Sequence, residues 1–118
     1  MGGMQSALLI LFGSRASGFS SPHSDFDVAV YAARPLSFEE KIASLENAAK
    51  LLSIPEEKID LVDAYTASPL LQFEIMKHGR VISGAEDAFR EFQWHAWKRY
   101  QGTAKLRRAR EEMLSRPQ

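Results

Sequence analysis

Two short apolar runs lie close together near the N terminus, and the segment between them constrains the fold more than any other part of the chain. The runs are ALLILF (Ala7–Phe12) and VAVYA (Val28–Ala32), and the segment between them is rich in Gly and Ser and ends in Asp-Phe-Asp. Apolar runs of about four to eight residues bounded by turn residues are typical of buried β-strands. The sequence therefore predicts two strands, with the carboxylates of Asp25 and Asp27 where the second one begins.

The remainder of the chain alternates helices with strands. Ser37 followed by Glu40 forms a capping box, which predicts that a helix begins there with one apolar side. The order β, β, α, β, α, β, α predicts an α/β (or α+β) fold with a small mixed sheet flanked by helices. The apolar side of the first helix is predicted to consist of Phe38, Ile42, Leu45, Ala49 and Leu52. Further strands are predicted over Lys58–Tyr65 and Arg80–Ser83, and further helices over Ser68–His78 and from Glu86.

The length of 118 residues suits a single domain, and we expect residues 1–118 to form one unit with a basic helical tail from about residue 101. From Lys98 onward the chain carries seven basic and two acidic residues, although its net charge is zero. Such a tail either contacts an acidic partner or is a solvated helix end. The chain has no cysteine, which excludes zinc–thiolate sites and fits a cytoplasmic location. No apolar run approaches the roughly 20 residues of a membrane helix, so no membrane contact is expected.

Acidic residues within the predicted strands point to metal chemistry. Asp25 and Asp27 are separated by one residue, so both side chains face the same side of a strand, about 7 Å apart. Carboxylates this close repel each other unless a cation lies between them, and hard oxygen ligands suit Mg²⁺ or Mn²⁺. Asp60 joins the pair if its apolar neighbours are core residues, whereas Asp63 has the opposite parity and is interpreted as a strand-end acid. Three such carboxylates can hold two ions that clamp the oxygens of a phosphoryl transfer.

The turn at Gly13-Ser14 supplies a second element of a nucleotide site. Glycine allows a phosphate to approach the backbone closely, and backbone N–H groups at the start of a following helix attract anions. The hydroxyl of Ser14 adds a donor and Arg15 adds positive charge. A triphosphate is therefore predicted to lie between this turn and the aspartates.

The stretch GSRASGFSSPHSDFD (Gly13–Asp27) resembles the signature of the polymerase-beta-like nucleotidyltransferase superfamily: Gly-Ser, about ten residues, then Asp-x-Asp. The strand IDLVD resembles the strand that carries the third carboxylate of the family. The short length and the run IDLVDAYTASPLLQFEIMKHGRVI resemble the minimal nucleotidyltransferase (MNT) branch, and the resemblance covers about Leu8 to Tyr100. It departs in one respect: family members usually carry a helix before the first strand, and about six residues precede it here.

The resemblance implies a polymerase-beta-like palm fold and specific roles for the motif residues. It implies catalytic and metal-binding roles for Asp25, Asp27 and Asp60, with two Mg²⁺ ions, or Mn²⁺, and ATP as substrate. It implies nucleotide binding by Gly13, Ser14, Arg15 and Ser24.

The resemblance to the MNT branch implies that the protein is an antitoxin that transfers AMP from ATP to a tyrosine hydroxyl of a helical HEPT-type toxin. Three alternatives stay open at this point. The acceptor is an RNA end, with the basic tail contacting phosphates, or it is a small molecule. The third alternative is a non-catalytic antitoxin that neutralises its partner by binding.

Aromatic residues are concentrated on the last helix. One side of this helix is predicted to pack in the core, and Trp94 lies off that side by its angular position. An exposed aromatic residue at this point predicts a partner surface. The predicted core side consists of Phe89, Phe92, Ala96, Trp97 and Tyr100.

Overall fold

The computed structural model describes residues 7–13 and 25–115. Within these residues, strands and helices alternate in the predicted order, and the boundaries differ from the predicted ones by a few residues. The elements are β1 (Leu8–Phe12), β2 (Phe26–Tyr31), α1 (Phe38–Leu52), a 3₁₀ turn (Glu56–Lys58), β3 (Ile59–Asp63), α2 (Pro69–His78), β4 (Arg80–Ser83), α3 (Glu86–Gly102) and α4 (Ala104–Ser115).

The four strands of the described residues form one mixed sheet in the order β3-β2-β1-β4. β1 is antiparallel to both β2 and β4, whereas β2 and β3 run parallel. Because parallel neighbours need a long connection, α1 makes the crossover between β2 and β3. The predicted mixed sheet is confirmed, and β4 lies at an edge of it.

Alternating side chains of the strands build two cores, one on each face of the sheet. On one face, Leu8 and Ile10 pack with Ile75 of α2 and with Phe92 of α3. On the other face, Leu9 and neighbouring strand residues pack beneath α1. Helices therefore cover both faces, and the ends of the strands are left for other contacts. The buried strand residues of the second core are Leu9, Leu11, Val28 and Val30.

Capping residues fix the ends of α1 and α2 where the sequence predicts them. Ser37 Oγ accepts a hydrogen bond from Glu40 N–H at 3.1 Å, and Glu40 Oε1 accepts one from Ser37 N–H at 2.9 Å. Ser68 Oγ accepts a hydrogen bond from Leu71 N–H at 3.2 Å at the start of α2. Such caps satisfy backbone donors that have no partner within the helix. α2 ends at Gly79, where any side chain would collide with β1 and with the last turn of the helix.

α1 presents a different side to the sheet from the predicted one. Phe38 is 73% exposed and Ile42 is 42% exposed, so this part of the predicted apolar side is wrong. The residues buried against the sheet are Ser44 and Ala48. Small side chains at these two positions allow a helix to pack closely on a sheet, and the bulkier Phe38 and Ile42 lie on the exposed side of α1.

Asp63 holds together two segments that leave the sheet. It pairs with Val30 in the β2–β3 register and therefore lies on the α1 side of the sheet. Its Oδ2 accepts a hydrogen bond from Leu36 N–H and its Oδ1 accepts one from Tyr65 N–H, each at 3.0 Å. This agrees with the interpretation of Asp63 as a strand-end acid with a structural role.

Replacing Asp63 with Ala is expected to lower the free energy of unfolding by about 2–3 kcal/mol, because two partly buried N–H groups lose a charged acceptor. Urea denaturation followed by circular dichroism measures this change. Asp63→Asn keeps one acceptor oxygen and is expected to lose less. An unchanged denaturation midpoint in the Ala variant would contradict this role.

α3 buries a narrower side than its aromatic content predicts. Phe92 and Ala96 are fully buried, and the Phe92 ring centroid lies 4.9 Å from that of Tyr31. Trp94 is 60% exposed, as predicted, but Trp97 is 45% exposed and was wrongly assigned to the core. Successive residues of a helix are about 100° apart. Trp97 therefore lies at the boundary of the buried side of α3, which has Ala96 at its centre.

Four of the basic residues after Tyr100, namely Lys105, Arg107, Arg108 and Arg110, lie on α4, which has no buried residue among those described. Arg116 lies outside the described residues. The guanidinium carbon of Arg107 lies 3.8 Å from the Tyr100 ring centroid, and Arg107 Nη2 donates a hydrogen bond to Tyr100 O at 3.0 Å. This contact joins α4 to the end of α3. The division of the chain into one domain and a basic tail stays a prediction.

In the part of the chain that the structure describes, no helix combines the length and apolar character needed to cross a membrane.

Candidate active site

Three acidic residues lie at one end of the strands, where β1 ends and where β2 and β3 begin. This end of the sheet is called the carboxylate edge. Asp27 pairs with Asp60 of β3 and, on its other side, with Phe12 of β1. Paired residues of neighbouring strands place their side chains on the same face, so the carboxylates of Asp27 and Asp60 are adjacent. Asp25 precedes Asp27 by two residues and shares its parity. The strand register thus places Asp27 beside Asp60, and Asp25 immediately precedes the strand that carries Asp27.

The electrostatics of Asp27 reflect this grouping. Partial burial, followed by the negative charges of Asp60 and Asp25, raises the pKa of the Asp27 carboxyl above its usual value. Charged carboxylates without a counter-ion therefore destabilise each other at this edge. A cation bound between them would remove that cost.

Gly13 contacts the same carboxylate from the end of β1. Its φ is +79°, in the left-handed region that favours glycine. A Cβ built at this position would overlap Asp27 Oδ2. The sequence predicted only that Gly13 lets a phosphate approach the backbone. The structure adds that the absence of a side chain makes room for the Asp27 carboxylate, a role that the Gly-Ser pair alone does not signal.

The remaining predicted nucleotide-binding residues, Ser14, Arg15 and Ser24, lie outside the described residues. Their roles stay predictions that rest on the sequence.

The donor set at this edge fits a hard divalent cation. Carboxylate oxygens are the ligands that Mg²⁺ and Mn²⁺ prefer, and the repulsion at Asp27 is of the kind that such an ion neutralises. Over residues 7–13 and 25–115, no three His, Cys, Asp or Glu side chains are already gathered closely enough to hold a metal ion. Mutual repulsion keeps ionised carboxylates apart, so ion binding requires the side chains to turn toward each other.

Comparison with known proteins connects this edge to a family. The family model described as polymerase beta, nucleotidyltransferase matches residues 4–88, which include all the predicted site residues. The chain belongs to this family. The nucleotidyltransferase fold predicted from the sequence is thereby confirmed, and the three carboxylates lie within the matched segment.

One curated relative of this nucleotidyltransferase is the protein adenylyltransferase MntA of Shewanella oneidensis, which is 38% identical over 79 residues. The aligned segment covers 67% of this chain and 55% of the relative. The chain thus spans about half the length of the curated relative that it matches.

Two solved structures share the nucleotidyltransferase fold. A chain from a crystal structure of a toxin–antitoxin with AMP-PNP superposes with a TM-score of 0.71 and 27% identity, covering 92% of this chain and 86% of that chain. A chain from the complex of tri-AMPylated Shewanella oneidensis HEPN toxin with MNT antitoxin gives a TM-score of 0.64 and 25% identity. In that case the coverage is 92% of this chain and 82% of the other.

Proposed function

We propose that this nucleotidyltransferase transfers AMP from ATP to a tyrosine hydroxyl of a helical HEPT-type toxin and thereby silences it as an antitoxin. The observation that carries the proposal is the pairing of Asp27 with Asp60 beside Gly13, at the start of two parallel strands. Two related proteins support the proposal. The curated relative is named a protein adenylyltransferase, and one of the similar solved structures contains an AMPylated toxin in complex with its antitoxin.

The carboxylates of Asp25, Asp27 and Asp60 would hold two Mg²⁺ ions, or Mn²⁺, at the sheet edge. Such ions polarise the phosphoryl oxygens and neutralise charge on the leaving pyrophosphate. Gly13, Ser14, Arg15 and Ser24 would bind the triphosphate, with Ser14 donating a hydrogen bond and Arg15 supplying positive charge.

The reaction forms one bond to phosphorus, breaks one bond to phosphorus and transfers one proton. The tyrosine oxygen attacks the α-phosphorus of ATP, and the bond from that phosphorus to the oxygen bridging to the β-phosphate breaks, releasing pyrophosphate. We assign the hydroxyl proton to Asp60, because it is the exposed carboxylate of β3 and is adjacent to Asp27. AMP remains attached to the tyrosine oxygen.

The exposure of this edge favours an acceptor presented by a macromolecule. Asp25 and Asp60 are both exposed, and the strands end at the surface. A docked protein brings its own walls to such a site, whereas a free small molecule needs a concave pocket to hold it. We place the activity in the cytoplasm, where ATP and the toxin meet.

A second candidate acceptor is an RNA end. It is favoured by the basic residues of α4, a helix with no buried residue among those described. Lysine and arginine contacts to phosphates supply most of the affinity of such binding, which therefore weakens steeply with salt.

Incubation of the protein with ATP, Mg²⁺ and the product of the neighbouring gene, taken as the candidate toxin, tests the proposal. Intact mass spectrometry is expected to show that product gaining whole AMP units, with no gain when Asp25→Ala replaces the wild-type chain. A parallel incubation with tRNA serves as the comparison. AMP on the RNA and none on the protein would move the assignment to the second acceptor.

A further inference from the structure

Two exposed tryptophans line a recess between α2 and α3. Trp94 is 60% exposed and Trp97 is 45% exposed, although tryptophan is usually largely buried in a domain core. Together with Met76 of α2, Arg90 and Gln93, they line a shallow, open recess of about 430 Å³. An apolar recess of this kind on a surface marks an interaction site rather than a core residue that failed to pack.

The charges around the recess indicate what kind of molecule it accepts. Lys98 Nζ lies 5.4 Å from the Trp94 ring centroid, where it is held over the ring by a cation–π contact. Arg90 Nη2 lies 3.5 Å from Glu86 Oε1 and 3.3 Å from Asp87 Oδ1, so its charge is shared with neighbours on the same helix. Lys98 is therefore the cation placed to meet a carboxylate that docks beside Trp94.

A nucleic acid fits this surface less well than a protein does. α3 carries as many acidic as basic residues. The guanidinium of Arg99 donates a hydrogen bond from Nη1 to Ala67 O at 2.9 Å. Phosphates approaching the recess would meet Glu86 and Asp87. The paired tryptophans and Met76 instead offer the apolar, aromatic centre that protein interfaces bury.

We propose that the recess between Met76, Trp94 and Trp97 is the docking site for a helical partner protein. Apolar side chains of the partner pack on the two tryptophans, and an acidic residue of the partner pairs with Lys98. The proposal rests on the proposed function, since the partner is the toxin that accepts AMP.

The recess is separate from the reacting edge. Trp94 and Trp97 lie on the outer side of the helical layer, whereas Asp27 and Asp60 lie where the strands begin. The residues that line the recess include none of the three aspartates, so binding at the recess and chemistry at the carboxylates depend on different residues.

Calorimetric titration of the neighbouring-gene product into the full chain tests the docking site. The double variant Trp94→Ala/Trp97→Ala is expected to raise the dissociation constant about 30-fold or more, as buried aromatic anchors do in other interfaces. Lys98→Glu, at an exposed position, is expected to weaken binding about tenfold at low salt and less at high salt. Leu70→Ala is the matched control, because Leu70 is a 59% exposed apolar residue of α2 outside the recess. It is expected to bind as the wild type does.

Magnesium-dependent ATP binding by the same preparations reports on the carboxylate edge and is expected to be equal in all four proteins. If the tryptophan and Lys98 variants bind the neighbouring-gene product as tightly as the wild type does, the docking site is overturned and the proposed function is not affected. A wild-type chain that neither binds nor modifies the neighbouring-gene product would overturn the proposed function, and the docking proposal with it. Affinity for tRNA that is lost in the tryptophan variants would reassign the recess to nucleic acid.

Discussion

Replacing Asp27 with Asn is expected to lower the rate of AMP transfer by about a thousandfold or more. Asp27 lies between Asp25 and Asp60 in the carboxylate group, so its loss removes a ligand from any cation that the three hold in common. Bound metal ions contribute several kcal/mol of charge stabilisation in phosphoryl transfer, and each 1.4 kcal/mol, roughly, is a factor of ten in rate. A time course of AMP incorporation by intact mass spectrometry measures the loss.

The same substitution is expected to raise the melting temperature of the metal-free protein. The raised pKa of Asp27 means that its ionised form is disfavoured in the folded chain, so a neutral amide of the same shape relieves repulsion at neutral pH. Asp63→Asn is the matched control, because it changes a carboxylate of β3 that lies on the other face of the sheet. It is expected to keep magnesium-dependent ATP binding. Full activity of Asp27→Asn would exclude the carboxylate mechanism.

Gly13→Ala is expected to lower the rate of AMP transfer about a hundredfold. The added methyl group overlaps Asp27 Oδ2 and displaces the carboxylate, and a shift of about 1 Å in a catalytic group costs that much. The positive φ of Gly13 adds about 1–2 kcal/mol of backbone strain for any residue with a Cβ. Parallel measurements of the AMP-transfer rate and of thermal unfolding separate the two effects.

Gly102→Ala is the matched control for this substitution. A Cβ at Gly102 meets no atom within 4 Å, and the residue ends α3. Alanine is therefore expected to leave the AMP-transfer rate unchanged and to stabilise the helix slightly. Equal rates for Gly13→Ala and the wild type would show that the contact with Asp27 does not position the carboxylate.

Local sequence signals predicted the order of the helices and strands and the starts of two helices. They did not predict which side of a helix is buried, because that depends on packing. Ser37 with Glu40 and Ser68 with Pro69 fix helix starts through hydrogen bonds only three residues apart, so the sequence contains the whole cause. The side that α1 buries depends instead on how closely the helix approaches the sheet. Ser44 and Ala48 are the buried residues of α1, and Phe38 is exposed against the apolar periodicity of the helix.

The candidate site shows the same division. Strand parity predicted that the side chains of Asp25 and Asp27 face the same side of the sheet and that those of Asp60 and Asp63 face opposite sides. This prediction needs no long-range information, because alternation along a strand is a local property. The adjacency of Asp27 and Asp60 required the parallel register of β2 and β3, which no short-range signal encodes. Strand parity placed Asp60 with the pair only on the condition that its apolar neighbours are core residues, and the family resemblance implied the same grouping. The contact of Gly13 with Asp27 likewise depends on two chain segments meeting across the sheet.

The parallel pairing of β2 with β3 also sets when the protein becomes competent during its synthesis. A ribosome releases the chain from its N terminus, so Asp25 and Asp27 emerge well before Asp60. Because α1 must fold between them and cross the sheet, this long-range pairing is slow to form. An unfinished chain therefore carries two of the three acidic residues and no assembled centre. The candidate site is therefore assembled only once the strand that follows the crossover has joined the sheet.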